Sequence, residues 1–268
     1  MEKIRLDSLL KEKGFFESRE KAKQAILNNS IKINGEIIND SSKKFDESVK
    51  IEVLGEPNKY VSRGAKKLEK ALNVFNIDVK NKVATDIGSS TGGFSDVLLQ
   101  NGIKKIYCID VGKDQLHPKI RNNDKTIVME ETDFRDIDKN IIKDTNLIVI
   151  DVSFISIESI VKKIKDCFEN KNVEVVSLIK PQFECGKEIA KKYKGVIKNK
   201  LEHKNIINKV LSFWFNNRFS VKGITVSPIT GGDGNIEYLL YTTTEKTQSV
   251  KINIESLVEN AFSEHKKS

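Results

Sequence analysis

Asp86-Ile87-Gly88-Ser89-Ser90-Thr91-Gly92-Gly93-Phe94 lies between an apolar run, Val83 to Ile87, and an amphipathic one, Phe94 to Gln100. The order is strand, glycine loop, helix. Gly88, Gly92 and Gly93 let the backbone approach a ligand without Cβ interference, and the first helical turn offers unpaired N–H groups to an anionic group. Spacing excludes one loop of this kind and disfavours another. A Walker loop needs Lys and Ser/Thr after its last glycine, where this chain has Phe94. A dinucleotide fingerprint needs a glycine two residues after the first, and that position is Ser90.

An acid, a glycine and then a glycine pair opening a helix resembles the S-adenosylmethionine loop of Rossmann-like methyltransferases. The resemblance implies cofactor contacts from Asp86, Gly88, Ser90, Gly92, Gly93 and Phe94. Around the loop the chain alternates strands and helices, the pattern of a mostly parallel α/β sheet covered on both faces. Strands are predicted at 83–87, 105–110, 126–130, 146–151, 174–179, 220–227 and 236–242, seven in all. Helices are predicted at 62–74, 93–100, 115–121, 156–168, 199–213 and 252–264, the first capped by Ser62. Its inward residues are Ala65, Leu68 and Leu72.

Ligands of such sheets bind at the carboxyl ends of the strands, and Asp86, Asp110, Asp133 and Asp151 stand there. Asp110 follows the glycine-loop strand by the distance that suits an acid accepting from ribose hydroxyls. Asp133, after the third strand, is placed to accept from an adenine amino group. Asp151 and Lys180 each close an apolar strand. A lysine there is costly to bury unpaired, so Asp151 and Glu237, the latter in Gly234-Asn235-Ile236-Glu237, are its expected partners.

The 268 residues suffice for one medium and one small domain. Net charge is +8, which favours a polyanionic partner. Residues 1–58 hold 11 Lys/Arg and 11 Asp/Glu, so the whole excess follows them. The three cysteines form no C-x-x-C pair and the three histidines are scattered, so no metal site is expected. Met1-Glu2-Lys3-Ile4-Arg5 lacks a signal-peptide core, and Leu147 to Ile150 is far too short to span a bilayer. These features predict a cytoplasmic protein.

Residues 3–13 read as a helix with Ile4, Leu6, Leu9 and Leu10 on its apolar side, ending at Gly14. Ser18 caps a second helix to about Asn28, with Ala22, Ile26 and Leu27 inward and Arg19 and Lys23 together outside. Asn34-Gly35 then turns a hairpin, and Val49 to Val53 closes the module. RLDSLL, KGFFESREKAKQAI and IKINGEII resemble the small α+β RNA-binding domain first defined in ribosomal protein four. That resemblance implies RNA contacts from Arg5, Lys11, Arg19, Lys23 and Lys32. Gly55-Glu56-Pro57-Asn58 reads as a linker, giving domains at 1–54 and 62–268 joined by 55–61.

Lys67, Asp151, Lys180 and Glu237 together resemble the tetrad of FtsJ-type RNA ribose 2′-O-methyltransferases. SRGAKKL, DIGSSTGGFSDVLLQNG, IDVSFIS, LIKPQFE and SPITGGDGNIEYLL extend the likeness to the TlyA family of rRNA 2′-O-methyltransferases. The family methylates cytidine ribose and has also carried the label haemolysin. One departure is the interdomain motif, commonly with Arg and Trp, which here reads Lys59-Tyr60-Val61. The resemblance implies S-adenosylmethionine as cofactor, ribosomal RNA or its subunits as partner, and Lys180 as base or as orienting cation. A further basic run opens at Lys187 and Lys191, with Ala190 between them, and continues through Lys192, Lys194, Lys198, Lys200 and Lys204. With Arg63 and Lys66 it forms a candidate rail for an RNA backbone. The rival readings are a non-catalytic assembly factor, against which the intact loop and tetrad stand, and a membrane-active haemolysin, which liposome leakage would reveal.

Overall fold

The computed structural model describes residues 3–16, 18–27, 29–54, 59–169, 171–231 and 234–265. Two compact units divide the chain, Met1–Arg63 and Gly64–Ser268. The expected linker residues 55–58 lie outside the described residues.

In the first unit, β1 (Ile4–Arg5) pairs antiparallel with β4 (Lys44–Phe45), and α1 (Leu6–Glu12) follows directly. Ile4 is therefore a strand residue and not part of the helix expected from residue 3, because its backbone is claimed by a pairing some 40 residues away. After α2 (Arg19–Leu27), β2 (Ile31–Ile33) pairs with β3 (Glu36–Ile37) and β5 (Ile51–Val53). Asn34 and Gly35, both at positive φ (52° and 88°), make the tight turn. Ser18 Oγ accepts from the Lys21 N–H, the expected cap. Leu6, Leu10, Phe16, Ala22, Ala25, Ile26, Ile31, Ile33 and Ile38 form the core. Leu27, expected inside, is exposed, and Ala25 fills that face instead.

The second unit is built on β6 (Val83–Ile87), all five residues of which are buried. A strand covered on both faces needs this continuous apolar run. β7 (Lys105–Ile109), β8 (Thr126–Met129), β9 (Leu147–Ile150), β10 (Glu174–Ile179), β11 (Ser220–Val226) and β12 (Tyr238–Thr243) complete a seven-stranded sheet of order β11-β12-β10-β9-β6-β7-β8. The β6–β10 pairings are parallel, whereas β12 runs antiparallel to both neighbours. Strand order therefore departs in opposite directions on either side of the β6–β9 pair, the position where α/β sheets bind ligands. Because β12 is reversed, its first residue, Tyr238, lies opposite Ile179, and the preceding Glu237 arrives beside Lys180.

The covering helices are α3 (Ala65–Phe75), α4 (Gly93–Gln100), α5 (Pro118–Arg121), α6 (Ile157–Cys167), α7 (Pro181–Glu184), α8 (Gly186–Lys192), α9 (Lys200–Asn216) and α10 (Ile254–Glu264). α6 shows why such segments become helices: Ile157, Ile160, Val161 and Ile164 make one buried stripe, and Ser156 Oγ accepts from the Glu158 N–H. Each of those aliphatic side chains contributes roughly 1.5–3 kcal/mol by burial. Ser62 does not cap α3. Gly64 occupies the N-cap without a side-chain bond, and Ala65, Leu68 and Leu72 face inward as expected.

Candidate functional site

The glycine loop is shaped from below. Gly88 sits at φ 80°, and a Cβ there would lie 2.8 Å from the Asp151 carbonyl oxygen, so both conformation and space require glycine. Gly92, at φ 87°, leads into α4, whose first residue is Gly93. Asp110 braces the loop: one carboxylate oxygen accepts from the Ser90 N–H (2.7 Å), the other from the Gly112 N–H (2.7 Å). Each oxygen keeps a second lone pair for a ribose hydroxyl. Val111, next in the chain and 72% exposed, offers an apolar surface beside them.

Two expected cofactor residues are buried. Asp86 is 1% exposed, and its Oδ2 accepts from Ser95 Oγ of α4 at 2.7 Å, so it joins strand to helix. Burial pushes its carboxyl up to about 7 despite that hydrogen bond, and the Asp151 charge adds to the rise. Phe94 is buried as well. Asp133 is at the expected strand end, but its carboxylate is engaged by the Arg135 guanidinium and backbone N–H. The Arg135 hydrogen bond holds it below the usual carboxylate range against partial burial. Asp86 Oδ1 and Ser89 Oγ are buried polar atoms without a hydrogen-bond partner among the described residues. These orphaned atoms and the Asp110 brace fit a cofactor with a charged amino-acid end and a ribose.

The four tetrad residues meet at the adjoining strand ends. Lys67, delivered by α3, places Nζ 2.8 Å from Glu237 Oε2 and 3.2 Å from Asp151 Oδ2. Lys180 Nζ lies 2.6 Å from Asp151 Oδ1 and donates to Ser153 Oγ at 2.9 Å. Lys67 and Lys180 are each 7% exposed and Glu237 1%, so the charges compensate one another largely out of water. Burial acts to lower the Lys67 pKa, but Asp151 and Glu237 outweigh it and leave it raised. Burial likewise acts to raise the Asp151 carboxyl, and Lys67 and Lys180 hold it below its ordinary range. A Cβ at Gly231 would come 2.1 Å from Glu237 Oε1, so a side chain there would displace the Glu237 carboxylate.

Sequence reading passes over Ser153, Phe154, Gln182 and Glu184. Phe154 is 88% exposed at φ 68°, a backbone region bulky residues avoid, and its ring centroid is 5.2 Å from that of Phe183. Nothing in the apolar pattern of 147–157 separates this phenylalanine from its buried neighbours.

Among the RNA candidates, Arg5 and Arg19 converge on Asp7 at 2.9 and 3.3 Å. The Arg5 hydrogen bond, more than burial, sets the Asp7 carboxyl, at about 2. Lys11, Lys23, Arg63 and Lys66 are exposed and Lys32 is half-buried. The basic run is helical over α8, which carries exposed Lys187, Lys191 and Lys192 and buries no residue. Lys200 and Lys204 are ion-paired with Glu259 and Glu255 across to α10, and Lys192 lies 3.9 Å from Glu202, so the expected rail shortens toward Lys187, Lys191, Lys194 and Lys198. Among the described residues no helix is long and apolar enough to cross a membrane, and no His/Cys/Asp/Glu group could hold a metal ion.

Comparison with known proteins gives matches over both units. Residues 60–244 match the FtsJ-like methyltransferase family, and residues 4–51 match the S4 domain. YqxC of Bacillus subtilis, described as a candidate rRNA methyltransferase, is 43% identical over 89% of this chain and 85% of its own length. The 16S/23S rRNA (cytidine-2′-O)-methyltransferase TlyA of Mycobacterium tuberculosis is 32% identical over 98% of both chains. A solved structure described as a candidate hemolysin from Streptococcus thermophilus has a TM-score of 0.77 and 38% identity, covering 100% of this chain and 98% of its own.

Proposed function

The chain belongs to the FtsJ-like methyltransferase family, and from that premise we propose that it transfers a methyl group from S-adenosylmethionine to a cytidine ribose 2′-hydroxyl in ribosomal RNA. The carrying observation is the buried Lys67–Asp151–Lys180–Glu237 network at the open edge of a sheet whose glycine loop fits the cofactor. In this reading residues 1–54 bind RNA, 55–61 link, and 62–268 methylate, in the cytoplasm. Relatives named as cytidine 2′-O-methyltransferases support the substrate.

S-adenosylmethionine, when bound, supplies a methyl group already activated by its sulfonium. The chain must therefore place a ribose oxygen in line and let its proton go. Gly88, Ser90, Gly92 and Gly93 form the cradle, Asp110 accepts from ribose hydroxyls, and Asp86, Phe94 and Asp133 shape the pocket around them. The Lys180 ammonium has three donors, of which Asp151 and Ser153 take two. Its third would orient the substrate hydroxyl oxygen, to which S-adenosylmethionine would supply the methyl group while the hydroxyl proton leaves to water. Lys67 holds Asp151 and Glu237 in place, and Phe154 offers its exposed ring to the base of the target nucleotide.

The deciding experiment is transfer of radiolabelled methyl from S-adenosylmethionine to unmodified subunits and naked rRNA, followed by nucleoside analysis. Labelled 2′-O-methylcytidine that disappears with Lys67→Ala is the expected result. Cofactor binding without any incorporation would reduce the protein to a binding role.

Arg5, Lys11, Arg19, Lys23 and Lys32 in the first unit, with Arg63, Lys66, Lys187 and Lys191, are the proposed RNA contacts. Replacing Lys187, Lys191 and Lys194 with alanine should weaken RNA binding and lower the slope of log K against log salt by about 2–3. An unchanged slope would remove α8 from the RNA interface.

A further inference from the structure

We propose that Glu184 is a positioning residue for methyl transfer, and that the turn carrying it keeps Lys180 and the 152–157 segment in register. The inference rests on the methyl-transfer reading above. α7 begins immediately after Lys180, and three consecutive side chains leave it toward different parts of the site. Gln182 Nε2 donates to Glu237 Oε1 at 3.4 Å. Phe183 packs against Phe154, and its ring lies 5.8 Å from Lys180 Nζ. Glu184 accepts from Ser156 Oγ at 2.8 Å with one oxygen and from the Ile157 N–H at 2.8 Å with the other.

The burial of Glu184 is what packing alone does not explain. It is 5% exposed, and burial pushes its carboxyl up in spite of both hydrogen bonds. A side chain that merely filled this space would be apolar, since burying a carboxylate is costly. At the start of α6 Glu184 takes the Ile157 N–H, which Ser156 Oγ, accepting from the Glu158 N–H, leaves unpaired. A carboxylate does supply direction. Its two acceptors fix both the hydroxyl of Ser156 and the first amide of α6, three residues beyond the positive-φ backbone of Phe154. Bulky residues hold that conformation where the surroundings over-determine it. The segment held this way begins at Asp151, which receives Lys180, and contains Ser153, which receives it again.

The test uses the full chain as parent, Glu184→Met, Phe154→Ala, their double variant and Glu184→Gln. Methionine keeps the volume and loses both acceptors, whereas glutamine keeps an oxygen for Ile157. Glu184→Met and Phe154→Ala should each lower kcat by about 30-fold with KM for S-adenosylmethionine unchanged, and the double variant should fall by about the same factor, because both act through one segment. Glu184→Gln should restore the rate to within about threefold of the parent. Independently of activity, amide hydrogen exchange of residues 152–157 should quicken at least about tenfold in Glu184→Met while β9 and β10 stay protected. Losses that multiply to about 1,000-fold in the double variant, or unchanged exchange at 152–157, would overturn the proposal. A parent chain that transfers no methyl group would sink the functional reading instead, and the exchange measurement would still decide whether Glu184 holds this segment.

Discussion

Lys180→Ala is expected to lower methyl transfer by about three orders of magnitude or more while S-adenosylmethionine binds within about twofold of the parent affinity. The separation follows from where the side chain stands. Lys180 touches Asp151 and Ser153 and reaches none of the glycine-loop residues through any contact described above. Its removal still leaves Asp151 with Lys67 at 3.2 Å, so the carboxylate keeps a counter-charge and the fold survives. Lys180→Arg should rescue little, because a planar guanidinium cannot reproduce the tetrahedral set of donors. Single-turnover methylation set beside calorimetric titration of the cofactor checks this. If affinity fell in step with rate, Lys180 would belong to the cofactor pocket and the orienting role would be wrong.

The second large effect is on stability. Lys67→Met should destabilise the second unit by roughly 3–5 kcal/mol at neutral pH, because it strips the cation from a carboxylate that is almost wholly buried. Glu237 then keeps only the long contact to Gln182 among the hydrogen bonds described for it. The sign of the pH dependence can be worked out from the two shifts. Asp151, which burial alone would raise, is held low by Lys67 and Lys180, so it stabilises the fold above its unfolded pKa of about 4 and that contribution fades as pH falls through its folded value. Lys67, raised by Asp151 and Glu237 against burial, stabilises below its unfolded pKa of about 10.4, and its contribution fades as pH climbs through the folded value. The full contribution therefore spans the window from about 4 to 10. Denaturant unfolding of parent and variant should show the widest gap at pH 7 and a narrower one near pH 3. A gap of equal size at both would mean that Lys67 acts by packing alone.

The strand–loop–helix around Gly88 and the alternating pattern after it are local, so a sequence carries them directly. Apolar runs four to six residues long, separated by amphipathic helices, have few other ways to bury themselves than a covered sheet. Asp151 and Lys180 were legible for the same reason, as charged residues ending such runs. The placement of Ile4 in a strand was not, because its partner lies at Phe45 and no short window contains both. Leu27 shows the complementary limit: an apolar residue at a helix end reads as core, and only the packed unit reveals that Ala25 has taken the space.

The sequence by itself determined the class of fold and the glycine loop, because periodicity and glycine chemistry act within a few residues of each position, whereas the resemblance to the FtsJ-type tetrad pointed to the four charged residues that the structure brings together. Tertiary structure decided the rest. The reversal of β12 brings Glu237 to Lys67 across a separation of 170 residues in the chain, which spacing along a strand cannot announce. Asp86 turned out to be tied to Ser95 of α4, and Asp133 to be occupied by Arg135, because orientation at a strand end depends on the neighbouring helix and turn. Phe154 meets Phe183 of an α7 turn nearly thirty residues away. Local pattern states which groups are present, and the direction each one points is settled by packing between segments that the chain brings together only on folding.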